Sequence, residues 1–277
     1  MKIENRVIFD EPTHTYTDVV DDCDYISVTT LIAKYYEPFD SDYWATYKAV
    51  KDELLKVGEW HKYKKQAGGW MNVVDIFRFK GAGNFTGIIE KRKQWYLDKW
   101  AQESEDGKRI GTEIHKKKEE NVLSKKIITI NNTEYKCING NRDDVAKMSK
   151  YDNGLFAELL IYNSEYKLAG QADAVKKKGK DIWIYDYKTN KKISDEPFME
   201  KKFLHPLEEL YETTKNEYML QLSTYGWMIE QYGYNIKGLY LYHIDRKTTK
   251  IKETIKLDYR PDLVAKMLNH YKDNYYE

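Results

Sequence analysis

The chain has 277 residues and a mass of 33.0 kDa, which suits one large domain or a core carrying a sizeable insertion. Its net charge of +1, from 46 Lys and Arg against 45 Asp and Glu, excludes global attraction to nucleic acid, so any such attraction must be local. Two cysteines exclude a disulfide framework and a four-thiolate cluster; a charged N-terminus and the absence of a long apolar run point to a cytoplasmic protein with no membrane partner.

In chain order, "RVIFDEPTHTYT" predicts a short hairpin turned at Glu11-Pro12. "SVTTLIAKYY" predicts a helix ending near Pro38, with Ser27, Thr29 or Thr30 as its N-cap. Residues 41–56 read as helix. The stretch "EWHKYKKQAGGWMNVVDIFRFKGAGNFTG" reads as helical pieces joined at Gly68-Gly69 and Gly81–Gly83. Its Trp60, His61, Tyr63, Trp70, Phe77, Arg78 and Phe79 alternate with lysines, a pattern suited to stacking bases and tracking phosphates of a single strand. The same aromatics would equally serve a helical cap that packs them inward. A helix is predicted from Ile88 to about Ala101, and a second, "GTEIHKKKEENV", from Gly111 or an N-capping Thr112.

The remainder reads as α+β. Strands near 126–130 and 134–138 form a hairpin around Asn131-Asn132, residues 142–152 are polar and helical, and 155–163 is a strand. A hairpin over 166–189 follows, then a strongly amphipathic helix over 216–234, strands at 237–244 and 250–257, and a closing helix that starts near Pro261.

The second hairpin raises a question of charge. Gly179-Lys180 suits the two-residue loop of a type II′ turn, which sets 178 opposite 181 and Asp173 opposite Asp186. Opposed side chains share a face with Cβ atoms roughly 4.5–5.5 Å apart, where like charges repel. Lys188 shares the face of Asp186. A hard divalent cation coordinated by oxygens would reconcile the two acids; taken alone, so would protonation of one of them or exposure of both to solvent.

Four further residues join them: His115 on the helix after Gly111, Glu158 inside an otherwise apolar strand, and Gln221 and Tyr225 four apart on one helical face. In this order, "GTEIH" (111–115), Glu158, Gly170–Asp173, "DYK" (186–188) and "QLSTY" (221–225) resemble the PD-(D/E)xK nuclease superfamily, specifically its RecB-like branch. "SVTTLI" (27–32) is similar to that branch's opening segment, and 40–105 is the least recognisable part.

The resemblance implies a restriction-endonuclease-like α+β or α/β core, a mixed central sheet flanked by helices, with an N-terminal helical insertion. The corresponding division is an N-terminal hairpin and helical cap or arch over 1–110 and a nuclease core over 111–277. It implies Mg²⁺ or Mn²⁺ held by His115, Asp173, Asp186 and the backbone carbonyl of Tyr187. Lys188 would hold or deprotonate the attacking water, and Glu158 would bind a second ion or orient that water. Gln221 and Tyr225 would position the nucleic acid, with Thr29, Trp70, Arg78 and Lys191 as further contacts. The expected substrate is DNA, single-stranded or with free ends. The expected activity is exonucleolytic, in recombination, repair or replication, as in phage and mitochondrial genome-maintenance exonucleases. A recombination or single-strand-binding protein is the implied partner. An endonuclease of the same chemistry and a catalytically silent nucleic-acid-binding protein are the alternatives.

Overall fold

The computed structural model describes residues 5–80 and 86–275. Alternating β-branched and aromatic residues build ten strands among the described residues. They are β1 (Val7–Asp10), β2 (Thr15–Asp18), β3 (Cys23–Ser27), β4 (Ile127–Ile130), β5 (Thr133–Asn139), β6 (Asn153–Asn163), β7 (Leu168–Lys178), β8 (Asp181–Lys188), β9 (Asn235–Ile244) and β10 (Ile251–Leu257). The helices are α1 (Val28–Ala33), α2 (Ser41–Lys56), α3 (Trp60–Gln66), α4 (Trp70–Lys80), α5 (Thr86–Leu123), α6 (Thr214–Glu230) and α7 (Pro261–Tyr275). The chain divides into two compact units, residues 38–109 forming one and residues 1–37 with 110–277 the other.

The larger unit is a mixed sheet flanked by helices, the fold class expected. Its strands run β1-β2-β3-β7-β6-β5-β4, and β8, β9 and β10 branch from β7. One edge of β7 pairs with β6 along its whole length. The other edge pairs with β3 only at Leu168 and Ala169, and with β8 only from Ala174 to Lys178. Among the described residues Gly170–Asp173 therefore have no ladder partner on that edge, and the sheet forks there.

Burial holds the fork in place. Leu160, Val175, Ile184 and Leu241 of the sheet pack with Leu220, Leu222 and Met228 of α6 and Leu263, Val264 and Met267 of α7, each side chain worth roughly 1.5–3 kcal/mol of transfer free energy. Thr213 caps α6 by accepting from Asn216 N at 3.1 Å. The expected amphipathic character of this helix is not what forms: every residue from Tyr218 to Gly226 is buried. The sheet lies on one side of α6, and α1 and α7 lie on others, so it has no solvent face to keep polar.

Ser27 is the residue that caps α1, accepting from Thr30 N at 3.0 Å. The helix stops at Ala33, ahead of the expected end near Pro38. A second difference lies in α5, a single 38-residue helix running through Gly111, so Thr112 is not an N-cap. A glycine inside a helix costs only about 1 kcal/mol relative to alanine. A helix of this length absorbs that, and side-chain pairs such as Asp106–Arg109 at 3.6 Å support it.

In the smaller unit, Ala49, Val50, Leu54, Trp60, Val73 and Ile89 form a core of their own. Trp70 packs on it, with its ring 4.9 Å from that of Tyr47 and 6.0 Å from that of Trp44. Gly68, with φ 71°, makes the expected joint between α3 and α4. The expected joint at Gly81–Gly83 and the side chains of Phe77, Arg78 and Phe79 lie outside the described residues.

Candidate active site

The charged hairpin forms in the expected register, with Lys178 opposite Asp181 and Ala174 opposite Tyr185. Gly179 takes φ 58° and Lys180 does not turn positive, as a type II′ turn requires. Asp173 and Asp186 are the next opposed positions and are 7% and 2% exposed. The ladder ends before them because of the fork. Asp173 Oδ2 instead accepts from Tyr187 N at 2.5 Å, which satisfies a backbone donor that the ladder leaves unpaired.

On the far edge of β7 the distortion is matched. Ala157 pairs with Ala174 and Leu159 with Ala172, so Glu158 falls opposite Asp173. Glu158 has φ 51°, left-handed backbone that a non-glycine residue adopts at a cost of about 1–2 kcal/mol. Gly140 makes this conformation tenable. Its N–H donates to Ala157 O at 2.8 Å and its carbonyl accepts from Leu160 N at 3.3 Å, clamping the chain on both sides of Glu158. A Cβ at 140 would lie 2.4 Å from Leu159 Cα, so only glycine allows this approach.

His115 reaches the fork from α5. Its Nδ1 is 3.1 Å from Asp173 Oδ1 and its Nε2 is 3.0 Å from Tyr187 O. An imidazolium can donate to both. Burial opposes that charge, but Asp173, with help from Asp186 and Glu158, outweighs it and raises His115 to about 9. Burial and then Asp173 push Glu158 up to about 8. Burial likewise raises Asp186 to about 6, against the pull of Lys188.

Lys188 Nζ lies 2.8 Å from Asp186 Oδ2 and donates to Gln221 Oε1 at 3.2 Å. Gln221 Nε2 in turn donates to Tyr225 OH at 3.0 Å. Burial disfavours the ammonium, yet Asp186 dominates and holds Lys188 above its ordinary range, hence protonated. Gly170 gives Tyr225 its place, since a Cβ there would meet the tyrosine ring at 2.5 Å.

The structure therefore brings together His115, Glu158, Asp173, Asp186, Tyr187, Lys188, Gln221 and Tyr225. Among the described residues, one three-membered group of possible metal ligands includes Glu158 beside two of the expected ligands. Potential ligand atoms of His115, Glu158 and Asp173 lie within 4.8 Å of one another, whereas Asp186 turns toward Lys188. Thr29 is exposed on α1 with Oγ1 3.0 Å from Ser27 Oγ, Lys191 is exposed beyond β8, and Trp70 and Arg78 belong to the helical unit. Two contributors escaped the sequence reading. Tyr218 lies under Lys188, 4.4 Å from ring centroid to Nζ, and its spacing from Gln221 and Tyr225 on one helical face was the available signal. Gly140 carries no local signal at all.

An imidazole nitrogen, several buried carboxylate oxygens and the Tyr187 carbonyl make a donor set that fits a hard divalent cation. The raised values of Glu158, Asp186 and His115 express the same fact: protons compensate the crowded negative charge that a dication would neutralise.

The family profile described as PD-(D/E)XK nuclease superfamily matches residues 75–275. Among curated proteins nothing matches. The matched span takes in α5, strands β4 to β10 and α6, and so every charged group of the site. The chain belongs to the PD-(D/E)XK nuclease superfamily, whose members in general are nucleases that use divalent metal ions.

Proposed function

We propose that this chain is a Mg²⁺- or Mn²⁺-dependent deoxyribonuclease of the RecB-like branch, an exonuclease acting on single-stranded ends or flaps in recombination, repair or replication. The observation that carries the reading is the fork at Gly170–Asp173, where two opposed acids, a histidine and a lysine meet. His115, Asp173, Asp186 and the Tyr187 carbonyl would hold the ion, with Glu158 sharing it or orienting water. An ion held there would supply a water of lowered pKa and polarise the phosphoryl oxygen.

The chain's own groups do the rest. Lys188, kept as an ammonium by Asp186, donates to the attacking water and stabilises charge building on the phosphoryl oxygens. Gln221 fixes the direction of Lys188, and Tyr225 fixes Gln221. The RecB-like assignment rests on His115 in α5, between β3 and β4, and the Gln221–Tyr225 pair in α6, between β8 and β9. Single-strand preference draws support from the helical unit. There Trp95 is 48% exposed, with Lys99 Nζ 5.0 Å and the Arg92 guanidinium 5.9 Å from its ring. We take residues 38–109 to be the substrate-handling cap. The implied setting is a phage-encoded protein in host cytoplasm, working beside a recombination or single-strand-binding protein.

End-labelled linear and circular single-stranded DNA, incubated with Mg²⁺ or Mn²⁺, tests this. An exonuclease degrades the linear form, leaves the circle whole and loses activity in Asp186→Ala. Cleavage of the circle would make it an endonuclease, and activity in Asp186→Ala would remove the assignment.

A further inference from the structure

Beside the acid cluster lies a cavity of about 700 Å³ whose walls include His115 and Glu158. On its α5 side Gly111 and Thr112 present little or no side chain, which leaves the space open. Phe9 and His14 of the β1–β2 hairpin also line it. Phe9 stacks on Tyr16 with ring centroids 4.7 Å apart, and His14 stands edge-on to Phe9 at 5.2 Å and 86°. His14 is exposed and holds φ 55°, left-handed backbone at the tip of a turn. Phe9 and Tyr16 thus flank an exposed imidazole, Tyr16 at 6.2 Å between ring centroids.

The polar groups of the cavity narrow its occupant. Glu11, Glu119 and Glu158 line it against Lys116 and His115, so its walls carry no excess of positive charge to draw a phosphate into it. Gln171 Nε2 donates to Asn141 Oδ1 at 2.6 Å, leaving the Gln171 oxygen and the Asn141 nitrogen as an acceptor and a donor side by side. A neutral, flat, hydrogen-bonding molecule fits these walls, and a phosphate fits the acid–lysine cluster only with its charge on a metal.

We propose that this cavity is a nucleobase subsite: it takes the base of a nucleotide next to the scissile phosphate, stacked on His14 and met at its edge by Gln171 and Asn141. The proposal rests on the nuclease reading above and extends it to the substrate. It makes the enzyme grip an unpaired, splayed base, because a base held in a duplex cannot enter. Aromatic stacking of this kind tolerates any base.

The test uses the full chain and single-stranded oligonucleotides carrying one abasic residue at each of the terminal positions in turn. Binding is read by fluorescence anisotropy in Ca²⁺ and cleavage as kcat/KM in Mg²⁺ or Mn²⁺. In the wild type, one abasic position weakens binding about tenfold or more, as loss of one stacked base predicts. His14→Asn, which tolerates left-handed backbone but has no ring face to offer, loses that penalty, and His14→Tyr keeps it. Equal sensitivity of wild type and His14→Asn at every position overturns the subsite. If Lys188→Ala abolishes cleavage while no abasic position matters, the subsite falls and the nuclease stands. If wild type neither binds nor cuts any oligonucleotide, both fall.

Discussion

Glu158 and Asp173 stand opposite each other on β6 and β7, and Glu158 meets its partner from left-handed backbone at φ 51°. A second acid is thereby set against the first at the point where the sheet forks. This arrangement costs stability twice, through backbone strain and through charge crowding. Glu158→Gly removes both, so it should raise stability by about 1 kcal/mol or more in metal-free protein. The gain, measured by urea unfolding, should come with loss of nuclease activity. A destabilised Glu158→Gly protein would mean that the conformation is unstrained.

Gly140→Ala tests the clamp itself. The new Cβ would fall 2.7 Å from Leu159 N and 2.8 Å from Ala157 O, both backbone atoms that cannot swing aside. The expected cost is about 1–3 kcal/mol, seen as a lower Tm, with metal affinity falling as Glu158 is displaced. An unchanged Tm would show that β6 shifts freely.

The acid cluster should couple protons to metal. Glu158 moves from 4.5 to about 8 and His115 from 6.5 to about 9, so both bind protons more tightly in the folded, metal-free protein. Their stabilising contribution is complete below the unfolded values and is lost as pH rises through the folded ones. Metal-free protein should therefore weaken between about pH 4.5 and 9, and Glu158→Gln should flatten the lower part of that slope. Because a cation competes with these protons, Mn²⁺ binding at pH 7 should release protons. Calorimetry in buffers of different ionisation enthalpy would detect this, and identical heats would refute it.

Lys188 neutralises a buried acid as well as facing the reaction. Lys188→Met should lower kcat by about 100- to 1,000-fold and cost about 3–5 kcal/mol at pH 8, where the buried Asp186 loses its ammonium partner. Asp186 already sits at about 6 with the lysine present, and without it protonates more readily, so the loss should shrink at pH 5. Denaturant unfolding of Lys188→Met and of Asp186→Asn/Lys188→Met at both values checks this. The double variant should recover stability without activity.

Asp18, on β2, is fully buried. Burial alone would raise it, but hydrogen bonds from Tyr25, Arg6 and the N–H groups of Val20 and Asp21 hold it at about 2. Its contribution of about 2 kcal/mol is present above pH 3.8 and is lost as pH falls to about 2. Asp18→Asn should lower Tm at pH 7 and remove part of the acid transition. An acid limb identical to wild type would contradict this.

What could be read from the chain alone was whatever is settled by near neighbours. The turn at Gly179 and the register it imposes on Asp173 and Asp186 follow from two residues and the alternation of a strand. The cap at Ser27 and the shared face of Gln221 and Tyr225 are equally local. Tertiary packing decided the rest. Ile26 pairs with Leu168, and Gly140 bonds around Glu158, between segments that have no local reason to meet. Those long-range pairings open the fork, bend Glu158 toward Asp173 and bring Phe9 and His14 to the wall of the cavity. Periodicity reports which face of an element is apolar. It says nothing of which distant element will cover that face, since that depends on the whole balance of burial and hydrogen bonding.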